Sequence, residues 1–390
     1  MRRPERPVIN WQPSQFGKLL TFSKRPMTFT TPRLATLDDL PALVALEMAC
    51  FDYDQLTKRS FRYFITKAQA QLWVIGDPIE AYGLVLFHRG TCLARIYSLA
   101  VSPESRGKGY GRLLIEQLEQ ASEEHGTLFI RLEVSDSNTN AIRLYEAMHY
   151  QPIRRLPQYY EDGHDGIRME KRLLRHLTKP PHLPHYAQTT EFTCGPAALM
   201  MAMKYLRPQT NMTQLEEINL WREATTVFMT QGHGGTSPLG LALAAKKRGF
   251  TCALWLSVTT APFVASVRCE EKKHIIELIH ADFLARLQTE AIPTHSFPSK
   301  IENLKQQLED GWAIILLIST YRFNRSKEPH WIWLVHIDDD YVYINDPDVD
   351  SEHWQSSLDN IYVPVPIKDF EQMMKYGAKP YRSAILLRNA

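Results

Sequence analysis

The sequence predicts two domains of different fold class, an α/β domain followed by an α+β domain. Its 390 residues exceed the usual length of one domain, and 44% of them are apolar, which allows two substantial cores. Helical and β-rich segments alternate in the first half, whereas the second half places a helical segment before a pair of β-rich runs. Three prolines and three histidines punctuate the stretch LLRHLTKPPHLPHYAQTTEF between the halves.

The domain boundaries follow from this punctuation. Residues 1–26 are basic and contain proline, which predicts an N-terminal arm, and residues 27–173 are predicted to form the first domain. The proline-rich stretch 174–187 is predicted to be a linker, because proline and histidine there interrupt every periodic pattern. Residues 188–390 are then the second domain.

The first domain begins with a strand in TFTTPRLAT and two helices in DDLPALVALEMACF and KRSFRYFITKAQ. Three successive strands follow in QLWVIG, EAYGLVLFHR and TCLARIYSLAV. The domain then ends in the order helix, strand, helix, strand. This order predicts a mostly antiparallel sheet that splays apart where it binds its ligand.

A glycine-rich loop joins the last of those strands to the next helix. The loop runs from Arg106 to Gly111, and its backbone amides are expected to point from the helix N-terminus. Gly107, Gly109 and Gly111 leave the backbone open to a ligand, while Arg106 and Lys108 add positive charge. The pattern predicts a pyrophosphate site, although it is neither the P-loop nor the dinucleotide-binding pattern.

In the second domain, HWIWLVHIDDDYVYINDP reads as an antiparallel hairpin with an acidic turn. If the turn centres on Asp338, His330 faces Asp346 and Leu334 faces Val342. Directly opposed residues have Cβ atoms about 4.5–5.5 Å apart, so the carboxylate can hold one imidazole nitrogen and leave the other free. A turn centred one residue later makes the pair diagonal but keeps both side chains on one face.

Cys194 precedes a helical run in EFTCGPAALMMAMKYL, and Pro196 fits the first helical turn. The sulfur therefore lies near the positive end of the helix dipole, where a thiol ionises more readily. Gln188, six positions earlier, can direct its amide at the oxygen of a tetrahedral intermediate. With His330 as the base and Asp346 orienting it, these residues supply the parts of a cysteine peptidase site.

Three segments of the second half carry a family resemblance: QTTEFTCGPAALMM, HGGTSPLGLALAAKKRGF and PHWIWLVHIDDDYVYINDP. Over about residues 180–390 they resemble the peptidase domain that removes double-glycine leader peptides from bacteriocins. The resemblance implies an α+β papain-like cysteine peptidase fold with the four roles given above. The stretch 251–312 looks like an insertion in that fold, with an added helix near Glu270 to Thr289 that would cover or reshape the substrate groove. No apolar run reaches the roughly 18 residues of a membrane span, so leader removal during export is not the default expectation.

The segment LEVSDSNTNAIRLYEAMHY and the glycine-rich loop together resemble the GNAT acetyltransferases over residues 28–172. The resemblance is strongest to those of the ribosomal-protein alanine N-acetyltransferase type. It implies an α/β GNAT acetyltransferase fold with acetyl-CoA as cofactor, held by the loop amides, by the strand edge through Leu99 and Val101, and by Asn138. It also implies Tyr145 as the acid that protonates the departing CoA thiolate.

An amine must lose a proton before it attacks a thioester, so the first domain also needs a base. Glu133 is the candidate, acting directly or through water. Together the two halves predict a bifunctional enzyme that modifies peptides or proteins, an acetyl-CoA-dependent N-acetyltransferase joined to a cysteine peptidase. Two alternatives stay open for the second domain: a peptide-binding module that does not cleave, or a thiol acyltransferase that passes the acyl group to an amine.

Composition limits the binding partners and the cellular compartment that we expect. The 45 basic and 43 acidic residues give a net charge of +2, which provides no electrostatic case for nucleic acid or membrane binding. The five scattered cysteines form no CxxC pair, and the N-terminus has no apolar signal segment, so the cytoplasm is expected. Neither the histidines of the linker nor the acidic stretch DPDVDSEHWQSS has metal-ligand spacing, which predicts no metal site.

Overall fold

The chain forms two compact units, residues 1–177 and 178–390. The structure, a computed structural model, describes residues 31–173, 183–225, 234–262, 264, 267, 269–324, 328–349, 359–375 and 381–390. Each unit contains its own seven-stranded sheet. The predicted N-terminal arm, 1–26, lies outside the described residues.

The first unit is an α/β domain. Its elements in chain order are β1 (Arg33–Leu34), α1 (Leu40–Cys50), α2 (Lys58–Thr66), β2 (Ala70–Ile75), β3 (Ala81–Phe87), β4 (Leu93–Val101), α3 (Tyr110–Glu124), β5 (Phe129–Ser135), α4 (Thr139–Ala147), β6 (Gln151–Leu156) and β7 (Gly166–Arg172). The strand order in the sheet is β1-β2-β3-β4-β5-β7-β6. Every neighbouring pair is antiparallel except β4 and β5, which run parallel.

The parallel pair opens partway along its length. Registered pairing of β4 with β5 stops where Arg95 lies opposite Arg131, yet β4 continues to Val101 and β5 continues to Ser135. Beyond that point the two strands diverge, and the facing edge of β4 is left without a strand partner among the described residues. This confirms the predicted splay in a mostly antiparallel sheet.

Local sequence explains where the helices of this unit begin. The Thr57 hydroxyl caps α2 by accepting a hydrogen bond from the Ser60 amide at 3.1 Å, an interaction typically worth about 1 kcal/mol. Helix α3 begins after Gly109, whose left-handed backbone (φ +85°) suits glycine. The buried face of α3 includes Leu114 and Leu118, each contributing about 1.5–3 kcal/mol through burial.

The second unit is built on an antiparallel sheet. Its elements in chain order are α5 (Cys194–Leu206), α6 (Gln214–Ala224), α7 (Pro238–Lys247), β8 (Phe250–Leu256), α8 (Glu270–Thr289), β9 (Thr294–Ser296), α9 (Ile301–Glu309), β10 (Ala313–Ser319), α10 (Tyr321–Asn324), β11 (Pro329–Ile337), β12 (Tyr341–Asn345), β13 (Val363–Pro366), α11 (Ile367–Met373) and β14 (Ser383–Asn389). The strand order is β13-β12-β11-β10-β14-β8-β9, and the pairs are antiparallel apart from β8 with β9.

Both faces of this sheet are covered. On one face Ile315 and Leu317 of β10 join a core that includes side chains of α5, α7 and α8. On the other face Ile314 and Leu316 pack with side chains of α9 and α11. Alternate residues of β10 therefore enter opposite cores, as the pleat of a strand requires. The predicted packing of the cysteine-bearing helix on an antiparallel sheet is confirmed.

The hairpin of β11 and β12 has a different register from the one predicted. Leu334 pairs with Ile344 and not with Val342, which lies opposite Ile337. The register shifts between Leu334 and His336, so an extra residue bulges from β11. The turn is therefore centred later than Asp338, and the predicted direct opposition was wrong. The diagonal alternative, which keeps His330 and Asp346 on one face, is the relevant one.

Residues of the predicted linker and of the predicted insertion also contribute contacts to the second unit. Residues 174–182 of the predicted linker lie outside the described residues, but 183–187 are not free: Pro184 accepts a hydrogen bond from Asn345 at 3.0 Å, and Tyr186 packs against the core of the second unit. The predicted insertion, 251–312, begins inside β8, which lies between β14 and β9 in the sheet. Its first residues therefore belong to the fold itself, because removing β8 would interrupt the sheet.

Candidate functional sites

Cys194 is the first residue of α5 in the second unit, directly after the N-cap residue Thr193. This position places the sulfur at the helix terminus where the unpaired backbone amides and the dipole favour negative charge. Pro196 lies in the first turn, as predicted. Cys194 is largely buried, with 9% of its surface exposed.

Gly195 allows the close packing around this terminus. A Cβ atom at that position would lie 2.2 Å from the hydroxyl oxygen of Thr236 and 3.1 Å from Trp331. The first distance is shorter than real Cβ contacts permit and the second is tighter than most, so a larger residue here would force Thr236 to move. The Thr236 hydroxyl is buried without a hydrogen-bond partner among the described residues. An unpartnered polar atom therefore lies beside Gly195, the residue after Cys194.

His330 and Asp346 form a buried pair, with 2.6 Å between Nε2 and the carboxylate oxygen Oδ1. With Nε2 occupied by Asp346, Nδ1 is the ring atom left for the Cys194 thiol. Burial by itself would lower the pKa of His330. Attraction to Asp346, the hydrogen bond to Asp346 and the interaction with Cys194 outweigh burial and hold that pKa well above its usual value. The structure thus brings together three of the four residues predicted for thiol chemistry.

Asp346 is itself held in place by its backbone and by its neighbours. Its Oδ1 also accepts a hydrogen bond from the Asp348 amide at 2.9 Å, and its own amide donates to the Asn360 carbonyl at 2.9 Å. The Asp346 carbonyl oxygen lies 2.7 Å from Nε2 of His185. A carboxylate fixed on several sides can set the orientation of the imidazole that it contacts.

Gln188, the fourth predicted residue, lies beside the same segment. The backbone amide of Gln188 donates to the carbonyl of Pro347 at 2.9 Å, which ties this backbone to the residue after Asp346. The side-chain oxygen of Gln188 is buried and has no hydrogen-bond partner among the described residues. The two ends of an amide are exchanged by a simple flip, so this side chain can present either its oxygen or its NH₂ group to a ligand.

The glycine-rich loop of the first unit has the backbone of an anion-binding turn. Gly107 and Gly109 adopt φ values of +80° and +85°, and a Cβ at either position would meet nothing within 4 Å. Glycine is therefore needed there for conformation, while open space is left for a ligand. A Cβ on Gly111 would contact Leu144 of α4 at 3.4 Å, so this glycine serves the packing of α3 against α4.

The two basic side chains of the loop differ in the polar partners that they already have. Lys108 forms an ion pair with Glu80 at 3.0 Å and a hydrogen bond to Ser105 at 2.9 Å, so its charge is partly neutralised. Nε of Arg106 is buried without a hydrogen-bond partner among the described residues. Arg106 is thus the loop side chain with the clearest capacity to meet an anion.

The open edge of β4 and the start of α4 carry the other predicted cofactor residues. Leu99 and Val101 lie on β4 beyond its last pairing with β5, and both side chains are buried. The Asn138 side-chain oxygen caps α4 by accepting a hydrogen bond from the Ala141 amide at 3.2 Å. This oxygen therefore has a structural role in addition to any contact with a ligand.

Tyr145 of α4 carries a buried hydroxyl group. Its hydroxyl group is buried without a hydrogen-bond partner among the described residues. Burial raises its pKa well above the usual value of 10.0, so the group keeps its proton near neutral pH. An unpaired buried hydroxyl is costly, which makes a ligand partner for it a reasonable inference.

Glu133 does not stand free in the splay. It is 1% exposed, and its carboxylate accepts a 2.7 Å hydrogen bond from Nε of Arg95 and forms an ion pair with Arg168. Both arginines are buried. The carboxylate therefore already has two cationic partners. No sequence pattern indicated these ion pairs, because the arginines lie on β4 and β7, far along the chain from Glu133.

Glu217 of α6 is a residue near the thiol site that the sequence analysis did not single out. It is fully buried, and its carboxylate contacts the segment that leads into Cys194. An isolated Glu ordinarily lies at the protein surface, so no sequence signal marked it.

Among the described residues, no group of three His, Cys, Asp or Glu side chains could hold a metal ion. No helix in that part of the chain is long and apolar enough to cross a membrane.

Comparison with known families agrees with this division. Residues 183–388 match the Peptidase_C39 like family, and residues 40–150 match the Acetyltransferase (GNAT) family. The chain therefore belongs to the Peptidase C39-like family through its second unit, and its first unit is a GNAT acetyltransferase domain.

Curated relatives match the first unit. [Ribosomal protein bS18]-alanine N-acetyltransferase of Salmonella typhimurium is 35% identical over 144 residues, covering 35% of this chain and 91% of that protein. The N-terminal acetyltransferase B complex catalytic subunit NAA20 of Arabidopsis thaliana is 36% identical over 90 residues, covering 23% of this chain and 52% of that protein. An uncharacterized N-acetyltransferase of Methanocaldococcus jannaschii is 45% identical over 78 residues, covering 20% and 50%. The chain spans about half the length of the last two relatives.

Solved structures also align with the first unit. The ribosomal-protein-S18-alanine N-acetyltransferase from Escherichia coli is 23% identical, with 40% of this chain and 100% of that chain covered and a TM-score of 0.35. An acetyltransferase from Salmonella typhimurium, solved with its cofactor acetyl-CoA, is 19% identical, with 39% and 99% covered and a TM-score of 0.35.

Proposed function

We propose that this protein is a bifunctional enzyme acting on peptides or proteins, an acetyl-CoA-dependent N-acetyltransferase joined to a cysteine peptidase. The observation that carries the peptidase half is the contact of the buried His330–Asp346 pair with Cys194 at a helix N-terminus. The acetyltransferase half is supported by the splay between β4 and β5, the left-handed glycine loop and the unpaired Tyr145 hydroxyl.

The first unit has residues that fit acetyl-CoA. When bound, the cofactor supplies an acetyl group as a reactive thioester. We propose that the amides of the loop from Arg106 to Gly111 and the Arg106 side chain hold its pyrophosphate, with the β4 edge at Leu99 and Val101 and the Asn138 side chain as further contacts. The buried, unpartnered Nε of Arg106 supports this assignment, because a buried N–H donor needs a hydrogen-bond acceptor.

Proton transfer in the first unit is assigned to Tyr145 and Glu133. Tyr145 would donate its proton to the departing thiolate, a role that its buried, unpartnered hydroxyl supports. Glu133 is proposed to assist loss of the proton from the acceptor amine through water, since both of its carboxylate oxygens already contact arginine side chains. Replacement of Glu133 tests this assignment.

In the second unit the Cys194 thiolate is proposed to attack the carbonyl carbon of a peptide bond. The carbonyl oxygen takes the electron pair and is stabilised by the Gln188 amide. Protonated His330 then gives its proton to the amine that leaves as the C–N bond breaks. Water, deprotonated by His330, releases the acyl group from sulfur. The raised pKa of His330 supports this order, because an imidazolium that persists near neutral pH pairs with a thiolate.

The small exposure of Cys194 favours one alternative, a second unit that binds peptides and presents them without cleaving them. Transfer of the acyl group to an amine, in place of water, is the other alternative. A thiol-directed peptide electrophile separates binding from cleavage: Cys194 should react much faster than Cys252, which is 3% exposed. Equal reaction rates for Cys194 and Cys269 would remove the peptidase proposal.

The direct test of function follows product masses. Candidate peptides are incubated with the full-length protein and acetyl-CoA, and with the variants C194A and Y145F. A gain of one acetyl group that Y145F slows supports the acetyltransferase half. Hydrolysed peptide that C194A abolishes supports the peptidase half, whereas acyl transfer to an added amine identifies the acyltransferase alternative.

A further inference from the structure

We propose that Glu217 is a positioning residue for the thiol site, which fixes the separation between Gln188 and Cys194. The inference rests on the proposed peptidase function. Glu217 lies on α6, outside the segment that carries either residue, and is fully buried. Its importance follows from where its hydrogen bonds go.

The carboxylate of Glu217 binds both ends of the segment between the oxyanion donor and the nucleophile. One end is Thr189, which follows Gln188 and donates to Glu217 from its amide at 2.8 Å and from its hydroxyl at 2.7 Å. The other end is Thr193, the N-cap of α5, which donates its hydroxyl to Glu217 at 2.5 Å. A single rigid group therefore sets the distance between the residue after Gln188 and the residue before Cys194.

A fourth hydrogen bond, from the Tyr186 hydroxyl at 2.9 Å, fills the acceptor capacity of the Glu217 carboxylate. All four donors are neutral and all four belong to the lead-in segment 186–193. The tyrosine pKa is raised above its usual value by burial and by Glu217, so its hydroxyl remains a donor. An amide in place of the carboxylate would put an NH₂ group opposite two of these donors and loosen the segment.

The neighbouring carboxylates on α6 have a different role. Glu216 and Glu223 form ion pairs with Arg248, the C-cap residue of α7, at 2.5 Å and 2.7 Å, so they tie α6 to α7. Glu217 instead contacts the lead-in segment. Glu223→Gln is therefore a matched control, since it also replaces a carboxylate of α6 but does not affect the segment that carries Gln188.

The two reactions of a thiol depend on this segment to different degrees. Addition of sulfur to an aldehyde forms a C–S bond while the carbonyl pair moves to oxygen, which then takes a proton from the imidazolium. That oxygen needs the Gln188 amide close by. Displacement of iodide from iodoacetamide also forms a C–S bond, but no charged oxygen develops. A shift of Gln188 relative to Cys194 should therefore impair aldehyde binding and leave alkylation unchanged.

The test uses the full-length protein and two probes, N-acetyl-glycyl-glycinal and iodoacetamide. The aldehyde dissociation constant is measured as protection of Cys194 from alkylation, followed by mass spectrometry. E217Q should weaken aldehyde binding by about tenfold, less than the roughly 10²–10³-fold cost of removing an oxyanion donor, because Gln188 is displaced and not deleted. The alkylation rate of Cys194 should stay the same, and E223Q should change neither quantity. T193V should reproduce the E217Q effect, and T193S, which keeps the hydroxyl, should restore binding.

Several results would overturn the inference. Unchanged aldehyde binding in E217Q would do so, as would a parallel loss with both probes, which would indicate that Glu217 only stabilises the fold. Failure of T193S to restore binding would show that the E217Q effect does not depend on the hydrogen bond from the Thr193 hydroxyl to Glu217. If the aldehyde does not protect Cys194 of the wild-type protein from alkylation, the peptidase proposal fails and the inference fails with it, a result distinct from the others.

Discussion

Replacing Glu133 with glutamine removes the carboxylate that holds two buried arginines in the first unit. Glu133 and Arg168 are each 1% exposed and Arg95 is 5% exposed, so water cannot take over the lost interactions. Breaking one buried ion pair typically costs about 3–5 kcal/mol, because the remaining charge is left without a partner. Here one carboxylate serves two guanidinium groups, so the loss should reach at least that range.

For a unit of this size, 1 kcal/mol corresponds to a shift of about 2–4 °C in the unfolding temperature. E133Q should therefore lower the unfolding transition of the first unit by about 6–20 °C, while the transition of the second unit stays unchanged. Differential scanning calorimetry of the full-length protein resolves both. The control is E80Q, which removes a partly exposed ion pair with Lys108 and should cost no more than about 1 kcal/mol.

Equal shifts for E133Q and E80Q would refute the view of Glu133 as a buried structural anchor. The same variant also bears on the proposed base. Assayed well below its unfolding temperature, E133Q should lose acetyl transfer most strongly at low pH, where the amine substrate is most fully protonated. Activity that falls only in proportion to the unfolded fraction would leave Glu133 with a structural role alone.

Three further outcomes are expected. Y145F should keep its unfolding temperature, because the lost hydroxyl has no partner among the described residues, and should release CoA about 10²–10⁴-fold more slowly; normal CoA release would exclude the acid role. G109A should raise the KM for acetyl-CoA. The control is G126A, which imposes similar backbone strain, at φ +78°, on a glycine away from the loop and should leave the KM unchanged. Equal KM values in the two variants would contradict a cofactor role for the loop. The raised pKa of His330 means that its protonated form stabilises the second unit below about pH 6.5, and that this contribution is lost as the pH rises through the folded-state pKa. In D346N the unfolding temperature should depend less on pH over that range, and an unchanged profile would contradict the assigned pair.

Much of the thiol site could be predicted from the sequence because it depends on two local patterns. Pro196 marks the first turn of α5, and the contact of His330 with Asp346 survives a change of register because parity keeps both on one face. The exact register could not be predicted, since the bulge in β11 depends on how the strand packs against its neighbours. A prediction based on alternation alone assumes a regular ladder.

The surroundings of the predicted residues were less accessible to sequence reasoning. Arg95 and Arg168 reach Glu133 from strands that only the folded sheet brings together, so a strand-end carboxylate could not be recognised as an ion-pair centre. Strand β8 was taken as the beginning of an insertion, because a short apolar run carries no sign of its neighbours in the sheet. Glu217 was missed for the same reason: its partners lie 24 to 31 positions away along the chain.

The divergence of β4 from β5 has a consequence for solubility. Strand edges usually lie at the margins of a sheet, where their unsatisfied amides and carbonyls can recruit another molecule and start aggregation. In this unit the opening lies in the interior of the sheet, with β3 beyond one side and β7 beyond the other. Flanking strands restrict access to those groups, so a narrow ligand can enter where a second copy of the protein cannot.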